Sequence, residues 1–233
     1  MAANVDLAAV GRLLAAPARA AMLDALFDGQ PWSGRELAAV ARISPSTASE
    51  HLQLLRRGGL VVASRDGRYR RYRLASAEVA DALEWLGTLA PPLRARRLSD
   101  SSRNEALHLA RTCYDHLAGR LGVAITDSLA ERGYLLGAER SFAPTPKGVR
   151  AFAGVGIDTE ALRRSRRPLS RACLDWSERK PHLAGALGAA LLARLESVHG
   201  LERLSPSRAI RVRPPGRTLL EQLDIVIQPE YSR

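Results

Sequence analysis

Two short helical segments with only a tight turn between them constrain this chain more than any other feature. Ser33-Gly34-Arg35-Glu36 is a capping box, a hydroxyl for the free amides and a glutamate three residues on, and Leu37, Val40 and Ala41 carry a buried face. The spacing predicts a helix over roughly 34–42. After Ile43, Ser44 caps and Pro45 opens the next helix, in which Ala48, Leu52 and Leu55 recur on one face before Gly58-Gly59 ends it. Helices this short bury their faces against each other, so the pair reads as a helix-turn-helix. Two helices precede it. Leu7, Val10, Leu13 and Leu14 mark the first, and Pro17 opens the second, with Ala21, Met22, Leu26 and Phe27 before Gly29.

Leu60-Val61-Val62-Ala63 and Tyr69-Arg70-Arg71-Tyr72-Arg73-Leu74 flank the turn Arg65-Asp66-Gly67-Arg68, a β-hairpin wing in which Asp-Gly suits positive φ angles. Ser76 caps a further helix through Leu86 that stops at Pro91-Pro92. The stretches Leu14-Ala-Ala-Pro-Ala-Arg19, Ser44-Pro-Ser-Thr-Ala-Ser-Glu-His-Leu52, Leu54-Leu-Arg-Arg-Gly-Gly-Leu60 and Asp66-Gly-Arg-Tyr-Arg-Arg-Tyr-Arg-Leu74 resemble the arsenic-repressor (ArsR) family of winged-helix regulators over residues 7–90. The resemblance implies a homodimer whose second helix of the motif enters successive major grooves of a double-stranded DNA operator, usually as a repressor released by an inducer.

Burial of Ala48, Leu52 and Leu55 leaves Ser44, Ser46, Thr47, Ser49, Glu50 and Gln53 for base edges or phosphates. Glu50 stands where many members of the family carry histidine; a carboxylate accepts from cytosine N4 but is repelled by phosphate. The wing arginines Arg65, Arg68, Arg70, Arg71 and Arg73 face only Asp66 and suit the minor groove or backbone. Metal sensors of the family bind through thiolates near the recognition helix or through Asp/His/Glu pairs after the wing; neither set occurs here, and His51 reads as a packing residue.

The net charge of +11, from 35 Lys+Arg against 24 Asp+Glu, suits a polyanion but names none. The amino terminus lacks a secretory pattern and no long apolar run appears, so a cytoplasmic protein without a membrane partner is expected. Cys113 and Cys173 are then free thiols.

Residues 91–104 read as a basic connector, and an internal repeat follows. Arg111-Thr-Cys-Tyr-Asp115 matches Arg171-Ala-Cys-Leu-Asp175, and His116-Leu-Ala-Gly-Arg-Leu-Gly-Val-Ala124 matches His182-Leu-Ala-Gly-Ala-Leu-Gly-Ala-Ala190, the second copy carrying an insert, Trp176 to Pro181. Pro146-Lys147-Gly148 and Pro214-Pro215-Gly216 are each followed nine residues later by Ile157 and Ile225. Each copy reads as a long helix, an extended segment (141–145 or 209–213) ending at the Pro-x-Gly turn, and a short helix. The arginine run 163–167 between the copies is either a solvated linker or a second phosphate contact.

Cys113, Asp115 and His116 in one copy and Cys173, Asp175 and His182 in the other form the one constellation with chemical potential. They suit a metal ion, a thiol redox sensor whose pKa is lowered by Arg111 or Arg171, a small-molecule pocket lidded by Trp176, or a buried network pinning each repeat. Cys113 and His116 are read as sharing a helix face, with Cys173 and His182 parted by the insert.

The expected fold is mainly α with small β-hairpins (α+β): a winged helix-turn-helix at 1–90, the connector at 91–104, and a pseudo-symmetric duplicated helical domain at 105–233, with copies about 105–158 and 165–228. The expected function is a DNA-binding regulator, a repressor released by an unidentified inducer sensed in the second half. The alternatives are an enzyme using the winged helix to dimerise, and a non-specific architectural DNA protein. The enzyme is disfavoured because Gly154-Val-Gly156 lacks the third glycine of a phosphate loop and no nucleophile elbow or HExxH occurs.

Overall fold

Capping residues set the boundaries of the first helices, and the computed structural model shows how they do so. It describes residues 5–91, 98–138, 141–204 and 207–232, in two units, Met1–Ala80 and Asp81–Arg233. About half of the described residues are helical, the rest including small antiparallel sheets, and none of the helices is long and apolar enough to cross a membrane.

In the first unit Asp6 caps α1 (Leu7–Leu14), whose residues are all at least partly exposed, and Pro17 opens α2 (Pro17–Leu26). Ser33 and Glu36 form the reciprocal capping box of α3 (Gly34–Ala41), with Ser33 N donating to Glu36 Oε2 at 2.6 Å and Glu36 N to Ser33 Oγ at 3.2 Å. The helix ends at Arg42 in the left-handed region, φ 55°, and Ser44 caps α4 (Pro45–Arg57). Leu37 and Ala38 of α3 meet Ala48, Leu52 and Leu55 of α4 and Met22, Leu23 and Leu26 of α2 in the core, while Val40 and Ala41 are only half-buried.

A two-residue strand unread in the sequence, β1 (Trp32–Ser33), joins β2 (Val61–Asp66) and β3 (Tyr69–Leu74) in the order β1-β3-β2. Trp32 is fixed there by its indole N–H, which donates to Asp28 at 2.9 Å. The wing strands run longer than expected: Asp66 pairs with Tyr69, so the turn is Gly67-Arg68, with Gly67 at φ 59°. α5 (Ala77–Leu89) follows Ser76. The division falls at Ala80/Asp81, before the expected residue 90, because Asp81 and Glu84 of α5 pair with Arg171 and Arg111 of the second unit.

After α5 comes α6 (Leu98–Leu109), so residues 98–104 are helical where a connector was expected; the helix formers Glu105, Ala106 and Leu107 carry the helix, and 92–97 lie outside the described residues. Then come β4 (Arg111–Cys113), β5 (His116–Ala118), α7 (Gly119–Glu131), β6 (Leu135–Ala138), β7 (Ser141–Pro144), α8 (Pro146–Gly154) and α9 (Thr159–Arg163). β8 (Arg171–Leu174), β9 (Pro181–Ala184), α10 (Gly185–Ser197), β10 (Leu201–Arg203), β11 (Ile210–Val212) and α11 (Pro214–Glu221) complete it, before a 3-10 turn at Pro229–Ser232. One succession thus occurs twice: hairpin, 13-residue helix, hairpin, short helix. Both long helices start at a glycine of positive φ, Gly119 at 74° and Gly185 at 85°. Leu121, Ile125 and Leu129 of α7 share one apolar core with Leu187, Leu191 and Leu195 of α10 and with Phe152, Leu219 and Leu220.

Two expectations are corrected here. The segments around Cys113 and Cys173 are hairpins preceding the long helices, not parts of them. β4 also bridges to the chain leading into β11, through Thr112 N to Arg208 O at 3.0 Å, while Ile210 N donates to the Ala110 carbonyl just before β4 at 2.9 Å. The Pro-x-Gly segments are likewise not turns but the first turns of α8 and α11, with proline in the position that needs no N–H donor. Their glycines let backbone meet backbone, since a Cβ at Gly148 would stand 2.0 Å from the Tyr134 carbonyl oxygen and one at Gly216 2.3 Å from that of Gly200.

Gly148→Ala should therefore cost about 1–3 kcal/mol by overpacking, roughly 2–12 °C in Tm for a chain of this size. Gly154→Ala, at the end of the same helix with open space around it, is the control expected to leave the thermal melt within about 1 °C.

Candidate functional site

Ser44 anchors the exposed face of α4, its hydroxyl lying 2.8 Å from Ser46 Oγ and 2.9 Å from Thr47 Oγ1 while accepting from Thr47 N. Thr47 is half-buried, and Ser46, Ser49, Glu50 and Gln53 face solvent as the helical period requires. Arg65, Arg68, Arg70 and Arg73 of the wing are exposed. Arg71 departs from the expected set: it is half-buried and pairs with Glu36 at 3.2 Å and with Asp66 at 3.5 Å. Asp66 is thus not the only acid facing the wing, and Arg71 spans β3 and α3. His51 lies 3.2 Å from Arg19, whose guanidinium also donates to the Leu13 and Arg12 carbonyls, so it joins α4 to the start of α2.

The six sequence-predicted residues of the second half come together. Cys113 and His116 are directly opposed across β4–β5, and Cys173 and His182 across β8–β9. Opposed residues project on the same side of a hairpin, so each hairpin presents one thiol and one imidazole side by side. The insert after Asp175 lengthens the loop of the second hairpin without changing this register, closed by Asp175 N donating to Lys180 O at 2.9 Å. The two pairs face each other: one ligand atom from each of the four residues lies within 4.8 Å of every other, and all four are buried. His116 Nε2 and His182 Nε2 are 3.1 Å apart.

Behind each imidazole stands the aspartate of its own hairpin, His116 Nδ1 being 3.3 Å from Asp115 Oδ1 and His182 Nδ1 3.8 Å from Asp175 Oδ2. Each aspartate is held by an arginine of the other stretch: Arg167 grips Asp115 with two guanidinium nitrogens, and Arg111 reaches Asp175 at 2.9 Å. Arg167 therefore belongs to neither a solvated linker nor a phosphate contact, whereas Arg163 pairs with Glu160 and Arg164 and Arg166 are exposed. Trp176 packs over the Arg111 guanidinium, 4.5 Å from ring centre to Cζ, and edge-on to His108. Arg171 pairs with Asp81.

Burial alone would raise the Asp115 carboxyl, but His116 and Arg167 outweigh it and hold its pKa at about 2. The same contest, won by Arg111 and His182, leaves Asp175 well below the usual carboxylate range. Burial opposes a charge on His116, yet the Cys113 sulfur and Asp115 lift it to about 9; burial and the neighbouring His116 push His182 well down. The Cys113 thiol is raised well above its ordinary value by its hydrogen bond to Cys173 and by burial. That reverses the lowered thiol expected from Arg111 and Arg171, because both guanidiniums are directed to carboxylates instead. What the sequence reading missed is Glu84, buried on α5 and 3.3 Å from Arg111; only its helical spacing from Asp81 hinted at a shared face.

Asp115 and Asp175 titrate lower in the folded than in the unfolded chain, where a carboxyl has a pKa of about 3.9. Their contribution to stability is complete above that value and is lost as pH falls through the folded values, so the urea midpoint should drop between about pH 5 and 2. Asp115→Asn should flatten that drop. Asp175→Ala, which takes from the buried Arg111 the nearer of its two carboxylates and leaves Glu84 at 3.3 Å, should cost about 1–3 kcal/mol in urea melts at pH 7.

A family model described as a helix-turn-helix domain matches residues 14–62. YdfF of Bacillus subtilis (strain 168), an uncharacterized HTH-type transcriptional regulator, is 42% identical over 219 residues, 94% of this chain and 97% of its own. The HTH-type transcriptional regulator CmtR of Mycobacterium bovis is 48% identical over 77 residues, 33% of this chain and 64% of its own. The solution structure of the cadmium metal-sensor CMTR from Mycobacterium tuberculosis is 42% identical and covers 39% of this chain and 100% of that one, with a TM-score of 0.31. Similarity to YdfF along nearly the whole of both chains, with a winged helix where the family model matches, decides the assignment: the chain belongs to the HTH-type transcriptional regulators, in their ArsR-type winged-helix form.

Proposed function

We propose that the protein is a homodimeric, sequence-specific repressor that binds an inverted-repeat operator and releases it when an inducer occupies residues 81–233. The observation that carries this reading is the exposed face of α4, Ser46, Ser49, Glu50 and Gln53, followed by a wing tip bearing the exposed Arg65, Arg68 and Arg70. Short polar groups suit base edges and arginines suit phosphates.

Dimerisation is supported by α1, an amphipathic helix that leaves Leu7 54% and Val10 40% exposed within one chain. We read the twice-repeated succession of the second unit as an internal duplication, supported by the matched Arg-x-Cys-x-Asp segments and the matched positive-φ glycines. A regulator is favoured over an enzyme by the family and by the place of Gly154-Val-Gly156, which ends the helix α8 and follows no strand. The Cys-Asp-His groups, all buried but Asp115, are the candidate sensing residues.

Footprinting of the promoter region upstream of its own gene should show two protected half-sites about one helical turn apart. Arg68→Ala with Arg70→Ala should weaken binding to all DNA alike and lower the slope of log K against log salt by up to about one unit per lost phosphate contact. Gln53→Ala should instead relax the preference at a single base pair, costing about 1–3 kcal/mol on the cognate site. Uniform protection without a preferred site would replace this reading with the architectural one.

A further inference from the structure

We infer that Cys113, His116, Cys173 and His182 bind one thiophilic divalent cation, of the zinc and cadmium class, in a closed four-coordinate centre joining the hairpins β4–β5 and β8–β9. The donor set is the first argument. Two thiols and two imidazoles within 4.8 Å of one another are the soft and borderline ligands that select such ions, whereas magnesium and calcium require oxygen ligands. The observed Nε2–Nε2 distance of 3.1 Å is close to the roughly 3.3 Å edge of a tetrahedron with metal–nitrogen bonds of about 2.05 Å.

Orientation of the imidazoles is the second and independent argument. His116 turns Nδ1 to Asp115 at 3.3 Å, a contact that an Nδ1–H serves, and His182 turns Nδ1 toward Asp175 at 3.8 Å, outside hydrogen-bond distance; with both rings carrying the proton on the carboxylate side, both Nε2 lone pairs point at one place. Two lone pairs that close repel unless a cation lies between them. A shared proton serves only the nitrogens, leaves two buried thiols as weak donors and leaves a buried net charge. A divalent ion serves all four atoms and, with two thiolates, is neutral. Each thiol loses its proton to solvent as its sulfur–metal bond forms, with no change of oxidation state. Asp115, hydrogen-bonded to His116 and braced by Arg167, is the carboxylate support that fixes ring orientation in histidine metal sites, and Asp175, braced by Arg111, sets a negative charge 3.8 Å behind His182.

The centre stands on these residues alone; that its loading changes operator affinity rests on the regulator reading above. Full-length protein, stripped with chelator and kept reduced, should take up one zinc or cadmium per chain, measured by elemental analysis after dialysis. Cobalt should give the visible bands of a tetrahedral site with thiolate-to-metal charge transfer, and zinc should protect both cysteines from alkylation. Cys113→Ser and Cys173→Ser should each weaken zinc by more than about a hundredfold, and Asp115→Asn, which leaves all four ligands, by about 10–100-fold. Melts of the stripped proteins show whether a variant folds, and the wild-type stoichiometry and cobalt spectrum decide the matter if one does not. No uptake by reduced wild type, an octahedral cobalt spectrum, undiminished zinc binding by both folded serine variants, or a Cys113–Cys173 disulfide persisting under reductant would each overturn the centre. Unchanged affinity of the loaded wild type for its footprinted operator would overturn only the regulatory link, since metal uptake is read without DNA.

Discussion

The second unit is organised around one buried charge. Arg111 is 0% exposed, and a guanidinium is costly to leave unpaired in an apolar interior, so its two terminal nitrogens draw acceptors from several elements. Asp175 from the loop of β8–β9 lies at 2.9 Å, Glu84 from α5 at 3.3 Å, Ser177 at 3.1 Å and the Leu107 carbonyl of α6 at 3.0 Å. Asp175 also accepts from Gly119 N at 2.7 Å, which places a negative charge at the start of α7, where Ala118 offers no side-chain cap. One ion pair therefore sets both where the long helix begins and how closely the two hairpins approach.

That approach produces the cluster. Arg111 reaches from the first stretch to Asp175 in the second, and Arg167 reaches from the second to Asp115 in the first. The two braces are not equivalent in sequence, since Arg171, the counterpart of Arg111, is taken by Asp81 of α5. Both nevertheless lock an aspartate behind a histidine, so the thiols and imidazoles converge in a dry space. The first unit divides its residues the opposite way. Its apolar groups and caps are spent on holding α3 and α4 together, and the groups suited to DNA, Ser46, Ser49, Gln53 and the wing arginines, face solvent. Arg71 is the exception, because Glu36 of the capping box draws it back onto α3.

Most of the first unit was legible in the sequence because its signals are local. Ser33 with Glu36, Ser44 with Pro45, and Gly67 each act within four residues, and the structure places a helix start or a hairpin turn at each. Trp32 of β1 escaped notice because a two-residue strand has no period, and its place depends on Tyr72, forty residues away. In the second unit the six residues of the cluster were legible as matched chemistry, but their geometry was not.

The reason lies in an ambiguity of spacing. Cys113 and His116 are three residues apart, and such residues are neighbours both on one face of a helix and across a hairpin with a two-residue loop. Cys-Tyr-Asp-His by itself permits either. Only the tertiary structure chose, because the backbone of this segment pairs with residues 208–210, and because Asp175, some sixty residues on, must reach the buried Arg111. By itself the sequence determined the winged helix, its capping and which thiols, imidazoles and carboxylates of the second half are matched, all of them matters of local hydrogen bonding and pattern. That two thiols and two imidazoles meet at one point was decided by long-range strand pairing and by the cost of burying a charge alone, neither of which has a local signature.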